Sequence, residues 1–220
     1  MQDELAKVMA TPVCKIQNIS MVHANLKHDF LQRLSSAFQS MKSIKKISPQ
    51  ECNNNFTSFK SINLSRNSIE DKGVICLANL FRDIPKLCNL TSLTLSRCSI
   101  TSKSINALFS SASSISITLN SLDLSFNYFK EEPVELYKYL AESNELAEIN
   151  LSHCEIDVDK LFVALGRGAC DKNLKKLLLS GNCTFSKMSI LESLIRFLKS
   201  TKCLSYLDLS ACKLSGSILQ

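Results

Sequence analysis

Four prolines and five glycines are all that this chain of 220 residues contains. A glycine-rich loop that cradles phosphate has too little glycine to be built, and the nearest candidate, Gly166-Arg167-Gly168, reads as the end of a helix. With so few chain breakers and 45% hydrophobic residues, the chain is expected to bury a substantial core and to fold mostly into regular elements. Long apolar runs are equally scarce. Residues Met1 to Lys7 carry two acids and open no stretch of the roughly seven to fifteen apolar residues that a secretory signal needs. Nothing approaches the roughly 20 apolar residues of a membrane span.

Charge of either sign is sparse. Twenty-six basic against 20 acidic residues leave a formal charge of +6, and the only dense cluster is Lys42, Lys45 and Lys46. That is a mild bias towards acidic partners and no nucleic-acid signature. The ten cysteines, at 14, 52, 76, 88, 98, 154, 170, 183, 203 and 212, form no CxxC pair and have no histidine cluster beside them. Neither a zinc site nor a redox motif is indicated, no cofactor is expected, and free thiols in a reducing cytoplasm are the simplest reading. N-x-S/T sequons begin at Asn18, Asn55, Asn63, Asn89, Asn150 and Asn182; without a signal peptide they are not glycosylated.

What the chain does have is a repeat, L-x-x-L-x-L-S-x-(N/C)-x-(I/L/F), the core of the leucine-rich repeat. One copy reads Phe59, Ile62, Leu64, Ser65, Asn67, Ile69; the next Leu90, Leu93, Leu95, Ser96, Cys98, Ile100; the third Leu119, Leu122, Leu124, Ser125, Asn127, Phe129. They continue as Leu146, Ile149, Leu151, Ser152, Cys154, Ile156, then Leu174, Leu177, Leu179, Ser180, Asn182 with Phe185 one place late, then Leu204, Leu207, Leu209, Ser210, Cys212, Leu214. First positions lie 27 to 31 residues apart, near the long end of the known range. A degenerate copy through Ile16, Ile19, Met21 and Leu26 has Ala24 at its ninth position.

Positions four and six fall on one face of a strand and should stack on their counterparts in the next coil. At position nine the chain turns away, where Asn67, Asn127 and Asn182 are suited to bond backbone groups left open by the turn. Cys98, Cys154 and Cys212 hold the same slot and read as structural thiols. His153 stands beside Cys154, but a Cys–His nucleophile needs an exposed thiol, so no catalytic or metal-binding residue is assigned. After each turn, apolar residues recur at helical spacing, as in Val74, Leu77, Leu80, Phe81 or Leu161, Phe162, Leu165. Caps or first-turn residues are expected at Asp71, Thr101 or Ser102, Glu132 before Pro133 at the first helical position, and Asp157 or Asp159. The expectation is an α/β leucine-rich-repeat horseshoe solenoid, ribonuclease-inhibitor-like, with parallel strands on the concave face and helices on the convex face. It forms one domain over 1–220, with regular repeats over 56–220, a degenerate repeat over 1–47 and a loop over 48–55. The last repeat has no terminal cap, so a fragment of a longer protein is expected.

Between the leucines the inner wall is polar and mostly uncharged. A docking face centred on Asn150, Lys175, Lys176 and Tyr206 is its candidate binding site, Tyr206 being the wall's one aromatic anchor.

The repeat by itself fits ribonuclease inhibitors, the sensor arms of innate immune receptors and a GTPase-activating protein of nuclear transport. Finer detail narrows the field. The stretch Ile62-Asn-Leu-Ser-Arg-Asn-Ser-Ile-Glu-Asp-Lys-Gly-Val74, followed by Leu93-Thr-Leu-Ser-Arg-Cys-Ser-Ile-Thr-Ser-Lys-Ser-Ile105 and Leu122-Asp-Leu-Ser-Phe-Asn127, resembles the repeat region of the CARMIL family, linkers of capping protein, the branched-actin nucleator and myosin-I. So does Ile149-Asn-Leu-Ser-His-Cys-Glu-Ile156, with its helix ending Leu165-Gly-Arg-Gly-Ala-Cys170. The resemblance implies a non-enzymatic, protein-binding scaffold in the cytoplasm at the cell cortex, with actin-regulatory proteins as partners and a role in actin-filament capping. It also implies that uncapping, membrane attachment and homodimerisation belong to other segments of such a protein: a basic unstructured tail, a pleckstrin-homology-like domain and a helical segment.

Overall fold

The computed structural model describes residues 2–9, 16–44, 59–83, 88–112, 119–167, 173–182, 184–185 and 188–214. The loop expected over 48–55 lies outside them. Along the chain run α1 (Gln2–Met9), β1 (Asn18–Ser20), α2 (His28–Ile44), β2 (Phe59–Asn63), α3 (Glu70–Asp83), β3 (Cys88–Thr94), α4 (Ser102–Ala112), β4 (Ser121–Asp123) and α5 (Val134–Glu142). There follow β5 (Glu148–Asn150), α6 (Val158–Arg167), β6 (Lys176–Leu178), β7 (Thr184–Phe185), α7 (Met188–Ser200), β8 (Tyr206–Asp208) and β9 (Lys213–Leu214). Strands β1, β2, β3, β4, β5, β6 and β8 form one sheet in that order, every neighbour parallel. This is an α/β leucine-rich-repeat solenoid.

The register follows from the repeat. Ile19, Ile62, Leu93, Leu122, Ile149, Leu177 and Leu207 pair one to the next across the sheet. From Ile62 to Leu179 both inward positions are buried, each side chain stabilising the stack by about 1.5–3 kcal/mol. The helices close the core from the other side with Val74, Leu77, Phe81, Leu108, Phe109, Leu140, Leu161, Leu165 and Phe197. In the degenerate copy β1 pairs with β2, and Ile19 and Leu26 are buried, but Ile16 is 44% exposed. No described strand lies on the far side of β1, so that first coil has only one neighbour to bury it. Helix α1, which the repeat pattern does not announce, packs on α2 and buries Ala6. Among the described residues no helix is long and apolar enough to cross a membrane.

One expected first-turn residue does more than expected, and one helix start differs from expectation. Asp71 sits in the first turn of α3, yet its carboxylate accepts from Thr101 N at 2.8 Å, Thr101 Oγ1 at 2.7 Å and Ser104 Oγ at 2.6 Å. It therefore caps the next helix, α4. Stacked coils set helix N-termini side by side, which puts an acid of one first turn beside the open N–H groups of the next. Pro133 is the N-cap of α5 rather than its first residue, because its ψ of 70° is not helical. Glu132 pairs instead with Lys160. Thr101 and Asp157 do cap their helices, accepting from Lys103 N at 3.3 Å and from Asp159 N at 3.1 Å.

Candidate functional site

The turns that leave the strands set the surface of the coil. Asn127, almost fully buried, donates from Nδ2 to the carbonyls of Leu95 and Leu124, each at 2.8 Å, and accepts at Oδ1 from Cys98 N at 2.9 Å and Ile100 N at 3.4 Å. Asn67 does the same to Met21, Leu64, Ala24 and Leu26, and Asn182 to Leu151, Leu179, Cys154 and Ile156. Two N–H groups two residues apart converge on one oxygen when the residue between them turns left-handed. Asn25, Ser99 and Glu155 do so, with φ of 53°, 56° and 55°. Each asparagine thus dictates the backbone of the coil before it.

Cysteine alternates with asparagine and makes a simpler bond. Cys98, Cys154 and Cys212 donate from Sγ to the carbonyls of Leu64, Leu124 and Leu179 at 3.2, 3.2 and 3.5 Å. Burial pushes the Cys98 thiol up to about 11 and the Cys154 thiol to about 12, against smaller opposing pulls from neighbouring backbone N–H groups. These thiols stay protonated donors at neutral pH. Cys154 Sγ addresses Leu124 O, while the His153 ring stacks on Phe126.

Position five also serves the turn. Asn63, Asp123, Asn150 and Asp208 each accept at Oδ1 from the N–H two residues on, at 2.8 to 3.1 Å. Asn150 is therefore partly committed to its own backbone. On the concave wall the sheet brings Lys175, Lys176 and Tyr206 together: Lys176 pairs with Tyr206 in register, and its Nζ lies 5.5 Å from the ring centroid. Tyr206 is 53% exposed. Asn150 lies one strand away and pairs with Leu178, at the opposite end of β6 from Lys176.

A second row of exposed side chains is not singled out by the motif. At position eight the backbone is left-handed in every coil, at His23, Arg66, Arg97, Phe126, His153, Gly181 and Ala211. Its N–H donates to the position-seven carbonyl of the next coil, as from Arg97 to Ser125 at 3.0 Å and from Phe126 to Ser152 at 2.8 Å. The Arg97 guanidinium stands 4.0 Å from the Phe126 ring centroid, and the Phe126 and His153 rings stack at 4.5 Å and 16°. Gly181 completes the stack, since a Cβ there would come within 2.4 Å of the His153 ring. Reading the eighth residues as a column, coil by coil, would have found this stack in the sequence.

Models of the leucine-rich repeat match residues 57–78 and 89–111. Human capping protein, Arp2/3 and myosin-I linker protein 3 is 29% identical over 206 residues, 90% of this chain and 14% of that protein's length. The rat protein of the same name gives the same figures, and mouse capping protein, Arp2/3 and myosin-I linker protein 2 is 28% identical over 213 residues, 93% of this chain and 13% of its own length. The chain therefore spans only a small part of these relatives' length. Fold, repeats and relatives together point to a protein-binding leucine-rich-repeat scaffold, similar over 206 residues to members of the CARMIL family.

Proposed function

We propose that this chain is the protein-binding scaffold of a regulator of actin-filament capping and cortical actin assembly, docking a partner on the concave wall through Asn150, Lys175, Lys176 and Tyr206. The observation that carries the reading is the likeness to the linker proteins, which extends over 206 residues rather than over one repeat. The wall suits an acidic partner. Lys175 just before β6, Lys176 on β6 and the exposed Tyr206 on β8 are neighbours, with Glu148 the carboxylate in register with Lys176. This reading locates the work in the cytoplasm at the cell cortex, with membrane contact and dimerisation supplied by other segments of such a protein.

The test is direct binding of the chain, with its natural flanks, to purified capping protein, Arp2/3 complex and myosin-I. Binding to one of them that weakens roughly ten-fold with Tyr206→Ala or Lys175→Glu, about the loss of one anchor, is the expected result. Lack of affinity for all three refutes the cortical reading. Binding that neither substitution weakens moves the site off the wall.

A further inference from the structure

The eighth-position row has features that a solvated turn does not need. Phe126 is 43% exposed and Tyr128 51% exposed, whereas Phe30, Phe59, Phe81, Phe109, Phe129, Phe162 and Phe197 are buried. Phe126 also has φ of 57°, a conformation that a bulky side chain enters at a cost of about 1–2 kcal/mol and that glycine or asparagine fills more cheaply. The left-handed turn is common to the coils and requires no aromatic, and an exposed aromatic is a pattern of binding surfaces. The Arg97 guanidinium sits over this ring at 4.0 Å from its centroid, and the His153 ring stacks on it at 4.5 Å.

Beside the stack runs an open groove of about 540 Å³ lined by Arg97, Ser99, Ile100, Thr101, Phe126, Asn127 and Tyr128. Its walls carry one guanidinium, two aromatic rings and three hydroxyl groups, and no carboxylate. Arg97 makes no ion pair among the described residues. A cation already stacked on an aromatic ring loses little further freedom on meeting a carboxylate.

We propose that this rim groove is a docking site for an acidic peptide segment of a protein partner. Arg97 pairs with a carboxylate, and Phe126 and Tyr128 pack against an apolar or aromatic side chain next to it. The proposal rests on the protein-binding reading of the scaffold, but neither on the concave wall nor on the partner's being a cortical actin regulator.

The experiment uses the full chain and a fluorescein-labelled peptide alternating glutamate with phenylalanine, read by fluorescence anisotropy, with the glutamine-for-glutamate peptide and a thymidine oligonucleotide as competitors. Binding in the micromolar range is expected, weakened roughly ten-fold by Arg97→Ala and by Phe126→Asn. Asparagine accepts the left-handed backbone, so that variant keeps the fold. Chemical-shift changes should gather on Ser99, Phe126 and Tyr128 and leave Lys176 and Tyr206 still. Equal affinity for the glutamine peptide overturns the charge argument, and shifts confined to the concave wall overturn the location. Tighter binding of the oligonucleotide, lost in Phe126→Asn, would make the stack a base platform and overturn the peptide reading. Peptide binding by a chain with no affinity for capping protein, Arp2/3 complex or myosin-I leaves the groove standing and removes only the cortical role.

Discussion

Truncating Asn127 to alanine removes five hydrogen bonds, three of which join its coil to the one before it. Leu124 O keeps the Cys154 thiol as a partner at 3.2 Å, but Leu95 O, Cys98 N and Ile100 N lose the asparagine atoms that bond them. Asn127 is only 3% exposed, so water does not replace the side chain without opening the turn. A stranded buried backbone group costs about 1–3 kcal/mol, and with partial relaxation the three together cost about 3 kcal/mol. For a chain of this size that lowers Tm by roughly 6–12 °C. Ser121→Ala, on the half-buried concave strand β4, is the control and should move Tm by at most a degree or two. Amide exchange supplies the sharper readout. Because Oδ1 reaches backwards, Cys98 and Ile100 should lose protection, although both precede the mutated coil. Equal melting shifts for the two variants, or deprotection of residues 155–157 instead of 98–100, would refute the account of how the coils are linked.

Three further outcomes follow from the geometry. Gly181→Ala places a Cβ 2.4 Å from the His153 ring at φ of 71° and should cost about 2 kcal/mol; His153→Ala in that background relieves the clash but not the backbone strain, as a double-mutant cycle in urea would measure. Asp71 is raised by its burial, but hydrogen bonds from Ser104 and Thr101 outweigh this and hold its carboxyl below the usual 3.8. Its folded pKa lies below its unfolded one, so its contribution is complete above about pH 5 and fades as pH falls through the folded value, and Asp71→Asn should flatten that acid limb of a Tm-against-pH curve. Alkylation of the native chain at pH 8, followed by peptide mapping, should label exposed Cys203 well before buried Cys98 and Cys154, whose thiols burial holds at about 11 and about 12; labelling of all three at one rate would mean that the ninth-position slots are open.

The repeat made much of the architecture legible. A period near 29 residues with leucines at positions one, four and six specifies one strand and one helix per coil. The pairing from Ile19 to Leu207 repeats that register across the sheet. Chain order is enough here because each coil contacts mainly its neighbours, so local pattern and tertiary packing are nearly the same information. The candidate site was legible only in part. Lys176 and Tyr206 pair in register with Lys175 one residue before β6, while Asn150 lies one strand away and is half spent on Ser152 N.

Tertiary structure decided what crosses from one coil to the next through side chains. Asp71 caps a helix 30 residues further on, because stacking puts two first turns side by side whereas sequence shows only its own helix. Ser99 and Glu155 turn left-handed because an asparagine in the following coil draws two of their neighbours' N–H groups together. Arg97, Phe126 and His153 are separated by 29 and 27 residues yet form one stack, since equivalent turns of parallel coils lie about one strand spacing apart, roughly 4.8 Å. The sequence by itself determined the coil and the residues that fill it. The contacts that shape its rim depend on distances between coils, and those arise only when the coils are packed.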